Sequence, residues 1–275
     1  MKAAVWTYIL ATATAISPAF AQTTTPDSSE ALALAAFQHA PIRRVPGATA
    51  LVDGVTAVQS YNWGGYAVSG TGFTDAKGSW IVPRVDCSKS PNALVALWVG
   101  IDGFSDSTVE QTGTLTWCNR TTAEYFTWYE FYPLPLTFIS TVSSNPGDKI
   151  FAEVSYNKSE FTAEITNETT GKSFSIMQAV PGAKRTSAEW IAEAPAAITG
   201  ILNLADFSKV DFGEDYTGDA GSNSATDSAV SGTIRDFGSA VQRITQVDWN
   251  LYTESTSSAL KEDGASFTVT WIEYN

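Results

Sequence analysis

Residues Leu94–Ile101 read LVALWVGI, an unbroken apolar run of β-branched and aromatic side chains. Such a run suits a strand buried on both faces. It stops at Asp102-Gly103, a pair that lets the backbone turn through positive φ. A polar loop follows, and Thr108 to Thr112 resumes a strand pattern that carries the amide of Gln111. Strand, tight turn and returning strand predict the wall of a cleft.

The same punctuation recurs through the chain. Asn62–Val68 and Ser79–Pro83 are short runs bounded by Gly and Pro, and Tyr125–Tyr132 is a dense aromatic strand ended by Pro133. Ile150, Ala152, Val154 and Tyr156 alternate with less apolar neighbours, as do Phe161, Ala163 and Ile165. That is the period of two expected of a strand. Asn167 to Gly171 makes a turn into Lys172–Ile176, so these segments predict a hairpin. Val241–Tyr252 and Ser266–Tyr274 supply the last strands, and the Gly/Ser/Ala-rich stretch from Gly218 to Gly232 reads as a long surface loop. No internal repeat is visible. The expected class is all-β, an antiparallel sandwich of two large sheets of jelly-roll or lectin-like form.

The chain's start differs from the rest. Lys2, the apolar Ala3–Ile16 and the small-x-small Ala19-Phe20-Ala21 form a secretory signal peptide over residues 1–21. Residues 22–56 hold a polar stretch, an Ala/Leu helical run at Ala31–Phe37 and an exposed linker at Pro41–Gly47. The first 55 residues carry three basic and three acidic groups, which leaves 13 basic against 26 acidic side chains beyond them. We read 22–56 as a removable prosegment whose Arg43-Arg44 pair docks on an acidic body, and 57–275 as one domain. A plain flexible linker is the alternative. The formal charge of -13 excludes nucleic acid and anionic membranes as partners, since both need a basic face.

Export to an oxidising compartment favours a bond between the two cysteines, Cys87 and Cys118, around the Trp98–Gln111 stretch. Sequons at Asn119, Asn157 and Asn167 matter only in a eukaryotic source. Chemistry is then narrowed by exclusion. The sole histidine, His39, lies in the removable segment. The remaining domain therefore cannot hold a Ser-His-Asp triad, a Cys-His pair or a His-based zinc site. A bonded Cys87–Cys118 pair removes thiol chemistry too, and no phosphate-binding glycine loop is present. Carboxylates, with a neutral amide as partner, remain, and no cofactor or metal is called for. Asp206, Asp211, Glu214, Asp215 and Asp219 form an acidic run that reads as a solvated loop, with calcium binding as the alternative.

At this point a resemblance enters. Asn62-Trp63-Gly64-Gly65, Trp98–Gly103, Gln111-Thr112-Gly113, Trp128–Pro133, Asn167–Gly171 and Ala188-Glu189-Trp190-Ile191 follow one another as in the glutamic peptidases, or eqolisins. The chain resembles these secreted acid proteases from about Asn62 to its end. The resemblance implies a two-sheet sandwich and a catalytic Gln and Glu, mapped here onto Gln111 and Glu189. It also implies Trp63, Trp98, Asp102, Trp128, Glu130 and Tyr132 as residues that line or support the cleft. A carboxylate can take a proton from attacking water, and the Gln amide can donate to the developing oxyanion. Leu115 and Phe126 depart from the pattern, which has an acidic residue at each place. The expected protein is a secreted monomeric acid endopeptidase that acts on protein and peptide substrates, with its own prosegment as inhibitor. An aromatic-rich lectin-like sandwich that binds sugars, or a two-carboxylate glycosidase, is the competing expectation.

Overall fold

Side chains alternate across a strand, so each strand of a two-layer protein offers one row to the neighbouring sheet and one row outward. The computed structural model describes residues 37–52, 54–197, 199–213 and 222–272. Its first strands are β1 (Arg44–Val52), β2 (Val55–Ser60), β3 (Trp63–Ser69), β4 (Asp75–Ile81), β5 (Leu94–Ile101), β6 (Val109–Asn119), β7 (Thr122–Tyr132) and β8 (Thr137–Phe138). Next come β9 (Lys149–Asn157), β10 (Glu160–Asn167), β11 (Lys172–Gln178), β12 (Ser187–Glu193), β13 (Ala196–Ala197) and β14 (Gly200–Ile201). The last are β15 (Lys209–Phe212), β16 (Ser224–Thr226), β17 (Ser231–Thr233), β18 (Val241–Val247), β19 (Thr253–Ser257) and β20 (Phe267–Trp271). A 3-10 helix, Ile234–Ala240, precedes β18.

A front sheet runs β1-β2-β18-β3-β12-β5-β6-β7-β8, and a back sheet runs β11-β10-β9-β4, continuing through β15 to β20 and β19. The two are continuous where β19 pairs with both β18 and β20. The named pairs are antiparallel except β2 with β18. The sandwich expected from the patterning is therefore present, and the β10–β11 hairpin pairs from Phe161 opposite Gln178 to Asn167 opposite Lys172. Cys87 and Cys118 are bonded, with Cα atoms 5.3 Å apart, and tie the approach to β5 to the end of β6. Such a cross-link restricts the unfolded chain.

Between the sheets lie Leu97, Val99 and Ile101 of β5, Trp190 of β12, Trp80 of β4, Ile150 and Val154 of β9, and Phe212 and Phe267. Each fully buried large side chain contributes roughly 1.5–3 kcal/mol. Both core indoles also satisfy their N–H: Trp190 donates to the Lys77 carbonyl at 2.7 Å and Trp80 to the Thr114 hydroxyl at 3.0 Å. The opposite row of the front sheet carries Trp63, Ala96, Trp98, Val109, Leu115, Trp128 and Ile191. That row is buried as well, because residues 37–43 cross it as a strap.

Of the linker expected at Pro41–Gly47, the exposure holds for Arg43, Arg44, Pro46 and Gly47, but Arg44 to Gly47 is strand: β1 pairs with β2 from Arg44 opposite Ser60 to Val52 opposite Val55, and His39 and Ala40 just before the linker are buried. β2 spans the boundary expected at residues 56 and 57. Among the described residues Arg44 meets no carboxylate; its guanidinium donates to the Phe104 carbonyl and lies 3.8 Å over the Phe104 ring. Charge attraction is replaced there by a cation–π contact. The expected loop at Gly218–Gly232 contains the β16–β17 hairpin, whose short polar strands carry little apolar signal. β18 stops at Val247, and Asp248 closes a turn by accepting from the N–H groups of Asn250 and Tyr252. The expected signal peptide, the helical run at 31–36 and Glu214, Asp215 and Asp219 lie outside the described residues. Asp206 pairs with Lys89, and Asp211 with Lys209 and Thr268.

The turn after β5 organises one end of the cleft. Asp102 and Gly103 both have positive φ, 73° and 93°. The fully buried Asp102 carboxylate accepts from the N–H groups of Lys184, Arg185 and Thr186 at 2.9, 2.7 and 2.7 Å. These bonds pin the β11–β12 connection to the end of β5. Burial lifts Asp102 from 3.8 to about 6, with Asp106 adding to the lift and the Arg185 and Thr186 N–H groups opposing it. Burial also raises nearby Glu110 from 4.5 to about 9 and Asp75, beside Glu153, from 3.8 to about 7.

Two outcomes follow from this end of the molecule. Asp102→Ala leaves three part-buried donors without their acceptor and should cost about 1–3 kcal/mol, while Asp102→Asn, which keeps one acceptor, should cost less; urea unfolding measures both. The raised carboxyls bind protons more tightly in the folded chain than in the unfolded one. Their contribution is complete below the unfolded values of 3.8 and 4.5 and is lost as pH rises through about 6, 7 and 9. Thermal unfolding should therefore give a melting temperature that falls from about pH 4 toward alkaline pH, and one that climbs over that range would contradict this.

Candidate active site

The outward row of the front sheet is built by register. Gln111 stands opposite Gly100 on one side and Glu130 on the other. Gly100 stands opposite Glu189, which in turn faces Ala67. Four residues along β12, Glu193 lies between Ala96 and Trp63. Gln111, Glu130, Glu189 and Glu193 therefore share a face, and all four are fully buried. Gly100 keeps the row open, since a Cβ there would sit 2.9 Å from the Trp98 ring and 3.2 Å from the Gln111 Cβ.

One residue of the strap touches three of these groups. The His39 carbonyl accepts from Gln111 Nε2 at 2.9 Å, and its N–H donates to Glu130 Oε2 at 3.1 Å. Its imidazole Nδ1 lies 3.1 Å from Glu193 Oε2, and the ring stacks on Trp128 with centroids 3.9 Å apart. Gln111 Nε2 also donates to Glu130 Oε2 at 3.1 Å. Glu193 Oε2 accepts from Trp98 Nε1 at 2.8 Å, and Asn62 Nδ2 approaches Oε1 at 3.5 Å. Trp63 packs edge-on against Trp98, centroids 5.0 Å apart. Half-buried Tyr132 packs against the same apolar cluster.

Burial dominates the electrostatics. It pushes Glu193 well above the usual carboxylate range, against hydrogen bonding to Trp98, Trp63 and Asn62 and the charge of Arg43. Glu130 is raised by burial and by the charge of Glu193, against the His39 N–H and the Gln111 amide. Burial lowers His39 to about 3. The shifts of Glu193 and His39 both run toward the uncharged forms, because a low-dielectric site disfavours separated charges.

Glu189 keeps different company. Burial raises it well above the usual range, the Ser187 hydroxyl beside it opposes this, and its charged neighbours are Asp102, Asp106 and Glu110. Neither of its oxygens makes a hydrogen bond among the described residues. Gln111, Glu130, Trp63, Trp98 and Trp128 are thus brought together, while Glu189 stands across Gly100 from Gln111 and keeps company with Asp102. Glu193, Asn62 and His39 join the first group without having been singled out in the sequence for it. The signal for Glu193 was its even spacing from Glu189, which puts both on one face. Leu115 and Phe126 stand directly opposite each other, with Phe138 against Phe126 at 5.1 Å, and give that end of the face an apolar floor.

The arrangement places an amide donor, a buried carboxyl and a bound peptide carbonyl in contact, as hydrolysis of an amide requires. Comparison with known proteins agrees. Residues 61–259 match the Peptidase A4 family. Aspergillopepsin-2 of Aspergillus niger is 28% identical over 236 residues, 78% of each chain. Scytalido-glutamic peptidase, solved with a transition state analog inhibitor, superposes with a TM-score of 0.64 at 24% identity, covering 77% of this chain and 98% of that one. Aspergilloglutamic peptidase from Aspergillus niger gives 0.55 at 26% identity, covering 66% and 99%. The chain belongs to the peptidase A4 (eqolisin) family and is a glutamic-type endopeptidase.

Proposed function

We propose that the protein is a secreted acid endopeptidase made as a zymogen, with Gln111 and Glu193 as its catalytic pair. The observation that carries this is His39, a backbone unit held at once by Gln111, Glu130 and Glu193. A substrate peptide in the same place has its scissile carbonyl on the Gln111 amide. Glu193, as carboxylate, takes a proton from water; the water oxygen bonds the carbonyl carbon, and Gln111 Nε2 donates to the oxyanion. Collapse breaks the C–N bond as Glu193 returns the proton to the leaving amine. Gln111 Oε1, buried and without a partner among the described residues, is free to accept a hydrogen bond from the water's second O–H, which stays on the new carboxyl group. Glu130 holds the Gln111 amide and the substrate N–H, and so positions both. Glu189 was the carboxylate expected from the sequence; Glu193 is favoured because it is the one in contact with His39, at 3.1 Å.

Residues 22–56 are the proposed prosegment, and the strap is its inhibitory part. β1 is largely exposed, whereas Val58 and Ser60 of β2 are buried. Cleavage in the β1–β2 turn would release strap and β1 while leaving β2 in the sheet. The processed chain is read as monomeric.

Denatured casein assayed at acid and neutral pH separates a peptidase from a sugar-binding sandwich. In processed enzyme, Gln111→Ala should lower kcat by about 10²–10³-fold and Glu193→Gln by about 10⁴-fold. Glu189→Gln should stay within about tenfold of wild type. A larger loss at Glu189 than at Glu193, with both variants folded, would return the role to Glu189. The base must be ionised, so kcat falls as pH drops below the pKa of Glu193, and Glu193→Asp should move that limb of the profile. Amino-terminal sequencing of active enzyme should begin in the β1–β2 turn, and a start at Gln22 would refute the prosegment.

A further inference from the structure

The strap poses a chemical question, because it is held as a substrate would be. The His39 carbonyl is on Gln111 and the His39 N–H on Glu130. Both flanks are clamped. Gln38 exchanges two backbone hydrogen bonds with Ala196, at 2.9 and 3.0 Å. Beyond the site, the Ala40 and Pro41 carbonyls each lie 3.3 Å from Asn62 Nδ2, and the Ile42 N–H donates to Gly103 at 3.0 Å. The peptide bond between His39 and Ala40 is thus presented to the catalytic pair.

Resting on the Gln111–Glu193 reading above, we propose that the His39 side chain is the plug that keeps this bond uncut, by filling the place of the attacking water. Glu193 Oε2 already accepts from Trp98, and its other oxygen faces Asn62. The imidazole takes the remaining approach at 3.1 Å, and its stack on Trp128 fixes the ring there. His39 is fully buried, so no solvent reaches the carboxyl past it. Without the ring, the vacated space is polar, bordered by Glu193 Oε2 and close to the Gln111 amide that holds the residue 39 carbonyl. Such a space admits water. The water oxygen would then bond the carbon of residue 39, the bond to the Ala40 nitrogen would break, and Glu193 would carry the water's proton to that nitrogen.

Two experiments test the plug. In the full-length precursor at acid pH, His39→Ala should yield a new chain starting at Ala40, while wild type and His39→Phe, which refills the space, show no cut at that bond. Adding Glu193→Gln to His39→Ala should abolish the cut. The second uses processed wild-type enzyme and synthetic peptides spanning residues 36–46, one with the native sequence and one with alanine at position 39. The native peptide should inhibit casein cleavage and stay intact, and the alanine peptide should be cut after position 39. Equal cleavage of both peptides, or an intact alanine peptide in an enzyme that digests casein, would overturn the plug. Casein digestion that survives Glu193→Gln would instead overturn the catalytic pair, so the two failures are distinct.

Discussion

The antiparallel register of β12, β5, β6 and β7 is the constraint from which the site follows. It aligns Glu189, Gly100, Gln111 and Glu130 across four neighbouring strands. A slip of one residue in any pair would turn one of these side chains into the hydrophobic core between the sheets. The core row prevents the slip: Trp190, Val99 and Ile101 are locked between layers, and Trp190 also donates to the Lys77 carbonyl. The polar row is held in place by apolar neighbours that alternate with it.

That polar row is unusual in being buried while facing away from the core. Uncovered, it would be a cleft floored by indoles and carboxyls; covered by the strap, it becomes a second interior. Removing water strengthens each contact inside and raises every carboxyl there. Burial under the strap lifts Glu193 and Glu130 above the usual range, which weakens Glu193 as a base for as long as the strap covers it. It also makes the folded chain hold protons that the unfolded chain releases.

The strap gains its hold through backbone and shape more than through charge. His39 is fixed by stacking on Trp128 and by a hydrogen bond to Glu193, and Arg44 by a carbonyl and an aromatic ring. An electrostatic dock of two arginines on an acidic body was the simpler expectation. Charge counts along a chain cannot reveal which side chains a folded surface offers, and here the available partner was Phe104.

Short alternating runs with Gly and Pro between them were enough to determine an all-β sandwich, the β10–β11 hairpin and the turn at Asp102-Gly103, because period and turn chemistry are local. The cysteine pair was equally open to reading, since only two thiols exist to be joined. Motif order pointed to the family, and with it to Gln111. Short polar strands such as β16 and β17, and a strap with no periodicity, left no local signal. The choice between two glutamates on one strand was beyond the sequence as well. Glu189 and Glu193 are four apart and point the same way, and only pairing across β3 and β5 separates them: one stands with Asp102 and Glu110, the other with Trp98, Asn62 and His39. Tertiary structure alone gives the two glutamates these different surroundings, because the neighbours that tune a carboxyl come from strands distant in the chain.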